Sequence, residues 1–240
     1  KYFMDNWSYS IGISLGYCLI VHTIQRCMRD RKAWNLKLPL IAWNAALALF
    51  SLAGTVRMFE EIRYVMSSYT LLDSISYSLD PRSVSAFWGC AFAASKIVEL
   101  GDTLFVLLRK KPLIFLHWYH HAVVLVYVWH SAAELVAGGR WFIFMNYGIH
   151  SIMYAYYACT AAGIRPPRWC NVFITTLQTT QMLIGVAITI AVAYFKGQGH
   201  KMQQSYNNLY LCFGIYASFA VLFLNFFIRS YCMKKTKKIE

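Results

Sequence analysis

Apolar residues run along this chain in seven long blocks rather than in short alternating stretches. The blocks lie near 9–27, 39–58, 84–107, 114–132, 141–163, 170–195 and 207–228. Each is close to the roughly 20 residues a helix needs to cross a bilayer core. Pro39, Pro112, Pro166 and Pro167 punctuate the connections, and Ala137-Gly138-Gly139 separates the fourth block from the fifth. No internal repeat or low-complexity segment interrupts the series. The pattern predicts one all-α polytopic membrane domain spanning residues 1–240, with seven transmembrane helices and a basic tail over 229–240.

Composition agrees. Of 240 residues, 58% are hydrophobic and 14% are charged, with a mean hydropathy of +0.43. Soluble domains lie nearer half and a quarter. No signal-peptide pattern of basic, apolar and small-residue regions is visible at the start. The seven cysteines are scattered with no metal-ligand spacing, which reads as small buried hydrophobes.

The formal net charge of +13 invites a nucleic-acid partner. The basic residues, however, sit in short clusters between the blocks, which speaks against one. Arg29, Arg31, Lys32 and Lys37 form one cluster, Arg109, Lys110 and Lys111 a second, and Arg165 and Arg168 a third. The tail adds Arg229, Lys234, Lys235, Lys237 and Lys238. With seven spans all of these share one side, while Asp5, Glu60, Glu61, Asp73, Asp80 and Glu134 fall on the other. The positive-inside rule then places the N-terminus in the lumen and the C-terminus in the cytosol. Asn6-Trp7-Ser8 is a glycosylation sequon on the lumenal side. The terminal Lys237-Lys238-Ile-Glu has the form of a cytosolic dilysine retrieval signal for the endoplasmic reticulum.

Ionisable groups at membrane depth point to function. In "FLHWYHHAVVLVYVW", His117, His120 and His121 are spaced i, i+3, i+4, on one helical face. In "SKIVELGDTLF", Lys96, Glu99 and Asp102 follow one slowly turning stripe. In "MNYGIHSIMYAYY", Asn146, His150, Tyr154 and Tyr157 share a face, and "TTLQTTQM" adds Gln178 and Gln181. Four successive polar faces predict one shared polar cavity. Imidazoles there could bind a metal, exchange protons or attack an acyl group. Two carboxylates beside them could fix tautomers. A di-iron lipid oxidase would need more histidines than seven, and GxSxG is absent. A non-catalytic lipid carrier is the other alternative.

The stretches "SKIVELGDTLFVLLRKKPLIFLHWYHH", "MNYGIHSIMYAYY" and "TTLQTTQM", covering 95–182, resemble the ELO family of very-long-chain fatty acid elongases. HWYHH without a preceding glutamine is similar to the branch acting on saturated and monounsaturated chains. The resemblance implies a 3-oxoacyl-CoA synthase of the endoplasmic reticulum membrane. Such an enzyme condenses a long acyl-CoA with malonyl-CoA, losing CO2 and CoA, with no metal or other cofactor. Six of seven helices would enclose a closed-ended acyl tunnel, with CoA entering from the cytosol. His120 would be the nucleophile and His150 its partner base, with His117 and His121 orienting the box. Lys96, Glu99, Asp102, Asn146, Tyr154, Gln178 and Gln181 would form the supporting network. Arg109, Lys110, Lys111, Arg165 and Arg168 are the CoA-binding candidates. Reductases and a dehydratase of the elongation cycle would be partners, and a homodimer stays open. Some members link two lumenal loops by a cysteine pair, but loops 59–83 and 196–206 contain no cysteine here.

Overall fold

The computed structural model describes residues 2–233. Ten α-helices follow one another: α1 (Tyr2–Asn6), α2 (Tyr9–Cys27), α3 (Lys37–Ser68), α4 (Leu71–Ser76), α5 (Val84–Glu99), α6 (Gly101–Leu108), α7 (Phe115–Ala133), α8 (Gly139–Ala162), α9 (Arg168–Gly197) and α10 (Tyr206–Phe227). A π-helical turn, Ile228–Cys232, continues α10, and there are no strands among the described residues. Lys237 and Lys238 lie outside the described residues.

The chain is a membrane protein. Lys37–Ser68, Arg168–Gly197 and Tyr206–Cys232 are each long and apolar enough to cross a bilayer. Large apolar side chains face outward along the bundle, among them Leu19, Leu49, Leu52, Phe87, Ile190 and Val221. A soluble monomer rarely exposes so much contiguous apolar surface.

Three expectations are corrected. The run 84–107 is two helices, broken at Leu100. There Leu100 N donates to Ile97 O at 3.2 Å and Thr103 N to Leu100 O at 3.3 Å, a local tightening to i→i+3 bonding. The second run extends ten residues further, to Ser68. Pro39 stands in the first turn of α3 rather than in a loop. That position has no intrahelical acceptor for an N–H, so proline costs little there.

Close helix approach rests on small residues, as expected in membranes. α3 lies along α8, its most extensive partner. A Cβ on Gly54 of α3 would stand 2.6 Å from the ring of Tyr147 on α8. Polar bonds add register: Ser14 Oγ on α2 donates to Ala122 O on α7, and Trp129 Nε1 on α7 donates to Ala93 O on α5, both at 2.9 Å. The α9–α10 pair packs through Met182, Cys212, Tyr216 and Phe219.

Candidate active site

The polar faces of α5 to α9 do converge. Lys96 and Glu99 are buried, at 3% and 5% exposure. Lys96 Nζ donates to Glu99 Oε1 at 2.7 Å and to Asn146 Oδ1 at 3.0 Å. Ser95 Oγ donates to the same Glu99 oxygen at 3.2 Å. An ammonium can only donate, so the Asn146 atom facing it must be the carbonyl oxygen. That turns Asn146 Nδ2 towards His150 Nε2, 3.3 Å away, as a donor. His150 therefore carries its proton on Nδ1, which lies 3.7 Å from Glu99 Oε1. The tautomer and orientation of His150 follow from the Lys96–Glu99 pair.

Asp102 does not join that pair. The break at Leu100 turns it aside, where Trp43 Nε1 and Tyr154 OH donate to its two oxygens, each at 2.6 Å. His121 Nε2 lies 4.0 Å from Asp102 Oδ2. Gly101 makes this possible, since a Cβ there would stand 2.7 Å from the Trp43 ring. His117 Nε2 meets Thr103 Oγ1 at 3.0 Å, and Thr103 meets Tyr17 OH at 2.7 Å. His117 and His121 thus have polar neighbours outside the box.

His120 differs. Its Nδ1 is buried without a hydrogen-bond partner, and its ring packs on Phe219 with centroids 4.8 Å apart. It stands between two cavities. One, of about 420 Å³, is lined by His117, His121, His150, Asp102, Tyr154, Tyr157 and Gln178, and reaches Arg109 and Lys111. The other, of about 630 Å³, is mostly apolar, lined by residues such as Leu79, Phe92, Val124, Val128, Phe142 and Ile143. His120, Asn146, Gln181 and Met182 border both. These volumes are of the size that holds small ligands.

The remaining candidates are placed less evenly. Gln178 Nε2 contacts Met153 Sδ at 3.2 Å rather than a histidine. Lys110 turns away from the cavity: its Nζ donates to Arg29 O and Arg31 O, each at 3.0 Å, from a backbone with φ 52°. Arg165, on the α8–α9 connection, and Arg168, the first residue of α9, are exposed and do not line the cavity. Asn6 is half-buried, its amide donating to Tyr2 O at 2.9 Å. Among the described residues no three His, Cys, Asp or Glu side chains converge as metal ligands.

Sequence reasoning missed Tyr17, Trp43 and Thr103. Thr103 was within reach, inside the same short stretch that supplied Lys96, Glu99 and Asp102. Trp43 is 59 positions from Asp102, and nothing in its surroundings announces the contact.

The model of the ELO: GNS1/SUR4 family matches residues 2–239. "Putative fatty acid elongase 4" of Caenorhabditis elegans is 50% identical over 98% of this chain and 81% of its own length. "Very long chain fatty acid elongase 6" of Drosophila melanogaster is 43% identical over 96% and 74%. "Very long chain fatty acid elongase 3" of Homo sapiens is 38% identical over 98% and 87%.

Proposed function

This chain belongs to the ELO family of fatty acid elongases, and from that premise we propose that it is the condensing enzyme, a 3-oxoacyl-CoA synthase working through an acyl-histidine. The observation that carries the reading is the position of His120, a shared wall of a polar vestibule and an apolar chamber with no internal partner for Nδ1.

The acyl chain lies in the apolar chamber and CoA in the vestibule, where Arg109 and Lys111 meet its phosphates. With Nδ1 shut away, His120 presents Nε2 to the thioester. Attack gives an acyl-imidazolium that keeps the Nδ1 proton and releases CoA as the thiolate, which takes a proton from water in the vestibule. Malonyl-CoA then enters and loses CO2. The electrons of the broken C–C bond form an enolate, which attacks the acyl carbon and expels the imidazole. A 3-oxoacyl-CoA two carbons longer results. Asn146 and Gln181 carry amide donors beside His120, and donors fixed in advance near developing negative charge would lower the barrier. His150 holds its basic lone pair on Nε2, so it can also take a proton.

The finer cellular reading belongs to the same proposal. Seven helices span the membrane of the endoplasmic reticulum, six enclose the acyl tunnel, and the N-terminus is lumenal. Arg165, Arg168 and Lys110 reinforce the cytosolic charge. The product passes to a reductase and then a dehydratase. No metal or further cofactor takes part. Saturated or monounsaturated acyl-CoA is the substrate class.

Intact-protein mass spectrometry after incubation with a long-chain acyl-CoA alone tests the mechanism. The expected result is a mass gain of one acyl group, absent in His120→Ala and discharged by malonyl-CoA. Elongation by His120→Ala at the normal rate would overturn the nucleophile assignment.

A further inference from the structure

The far end of the apolar chamber, opposite Arg109 and Lys111, is walled by Phe3 and Met4 of α1 and by two connections. The α4–α5 loop contributes Ser78 and Leu79, and the α7–α8 turn contributes Leu135 and Val136. Neither is a regular element. Leu135 takes φ 50° where α7 ends, its N–H donating to Ala132 O at 3.4 Å and the N–H of Val136 to Ser131 O at 3.2 Å, a left-handed helix close.

Both connections are joined by the short segment between α9 and α10. Gln203 N donates to Ser76 O at 3.0 Å, and Gln203 Oε1 accepts from Ser78 N at 3.1 Å. Gln203 O accepts from Ala137 N at 3.1 Å. One residue thus ties both connections to itself. Met202 anchors it from below, 8% exposed, packed with Ile75, Val192 and Leu209, with its sulfur 3.2 Å from Ser76 Oγ. At the other end Glu134 accepts from Ser205 N at 3.1 Å and from Ser205 Oγ at 2.8 Å, next to Leu135. Arg140 adds a direct tie, its Nη2 donating to Tyr77 O at 2.6 Å. Neither Met202 nor Gln203 lines the chamber.

We propose that the strap Met202–Ser205 sets the longest acyl chain this protein accepts, by holding Leu135 and Val136 on one side and Ser78 and Leu79 on the other as the chamber's end wall. The inference rests on the elongase reading above and names positioning residues for its substrate range. An apolar chain longer than the chamber must push the wall outward, and the wall yields only if the strap lets go. Every tie in the strap is non-covalent, and the two loops it joins hold no cysteine.

The experiment measures kcat/KM of the purified full chain with malonyl-CoA and a ladder of saturated acyl-CoAs. Two variants loosen the strap without touching the site: Met202→Ala empties its anchor, and Gln203→Ala deletes the side-chain tie to Ser78 N while the backbone ties of residue 203 remain. Both should raise turnover severalfold on acyl-CoAs just beyond the wild-type cut-off and leave shorter ones unchanged. Met202→Leu, which conserves volume, should keep the wild-type cut-off. An unmoved cut-off, or a uniform loss at all lengths, overturns the strap. Should Met202→Ala fail to fold, the milder truncation Met202→Val, which empties part of the same anchor, decides. A wild-type protein that condenses no acyl-CoA of any length overturns the elongase reading instead.

Discussion

Tyr154 of α8 donates its phenolic hydrogen to Asp102 Oδ2 of α6 at 2.6 Å. The bond fastens a carboxylate 4.0 Å from His121 to a helix that also carries His150. Tyr154→Phe should remove a hydrogen bond to a charged group, worth about 1.5–3 kcal/mol. Thermal unfolding in detergent measures that loss. An unchanged melting curve would mean that Trp43 alone holds Asp102.

Thr103 bridges Tyr17 and His117. Thr103→Val keeps the shape and deletes the hydroxyl. We expect kcat to fall while KM for acyl-CoA stays, because His117 loses its orientation and the cavity keeps its walls. Adding Tyr17→Phe should cost little more, since residues in one network are not additive. Independent losses from the two substitutions would break the chain Tyr17–Thr103–His117.

Gly101→Ala should place a methyl against the Trp43 ring and destabilise by about 1–3 kcal/mol, the usual range for overpacking. The second effect is functional, because a displaced Trp43 no longer donates to Asp102. Chemical denaturation and turnover, measured on Gly101→Ala alone and with Trp43→Phe, check both. The smaller ring should restore much of the stability and none of the hydrogen bond.

Three adjacent basic residues should separate in kinetics. Arg109→Gln and Lys111→Gln should raise KM for acyl-CoA and weaken its salt dependence, since both border the vestibule. Lys110→Gln should leave KM alone and lower the melting temperature, since Lys110 ties the α6–α7 loop to Arg29 and Arg31. A KM rise in Lys110→Gln equal to the other two would show that all three meet CoA.

Asp73 closes a capping box on α4: Thr70 donates to it through both hydroxyl and backbone N–H, which lowers its pKa below the ordinary carboxylate value. A folded pKa below the unfolded one means that the stabilisation is complete above about pH 4 and fades as the pH falls further. Amide exchange in Leu71–Ser76 should quicken on acidification below that point, and Asp73→Asn should flatten the dependence. Exchange that follows pH identically in both proteins would remove Asp73 as the cause.

Periodicity carried the helices well, because a polar face at 3.6-residue spacing is a local property. It placed His117, His120, His121 and His150 around one cavity for the same reason. It failed where the backbone departs from that spacing. The tightened turn at Leu100 takes Asp102 off the stripe of Lys96 and Glu99, and no residue type there marks the break beyond Gly101. Contacts across 59 positions, like Trp43 to Asp102, leave no trace in one sequence. Lys110 looked like its two neighbours and is set apart only by a positive φ.

The pairing of Lys96 with Glu99 also bears on how the protein is made. On the insertion scale a lysine or aspartate at a helix centre costs about 2.5–3.5 kcal/mol. On the seven-span reading, α5 and α6 enter the bilayer carrying Lys96, Glu99 and Asp102, whose later partners Asn146 and Tyr154 are still being synthesised. Lys96 and Glu99 lie three residues apart and can neutralise each other at once, whereas Asp102 has only Trp43 of α3 to meet until Tyr154 follows. The helices that carry the buried polar faces are thus the reluctant ones to insert, and α3, apolar and already in place, is the surface against which they settle.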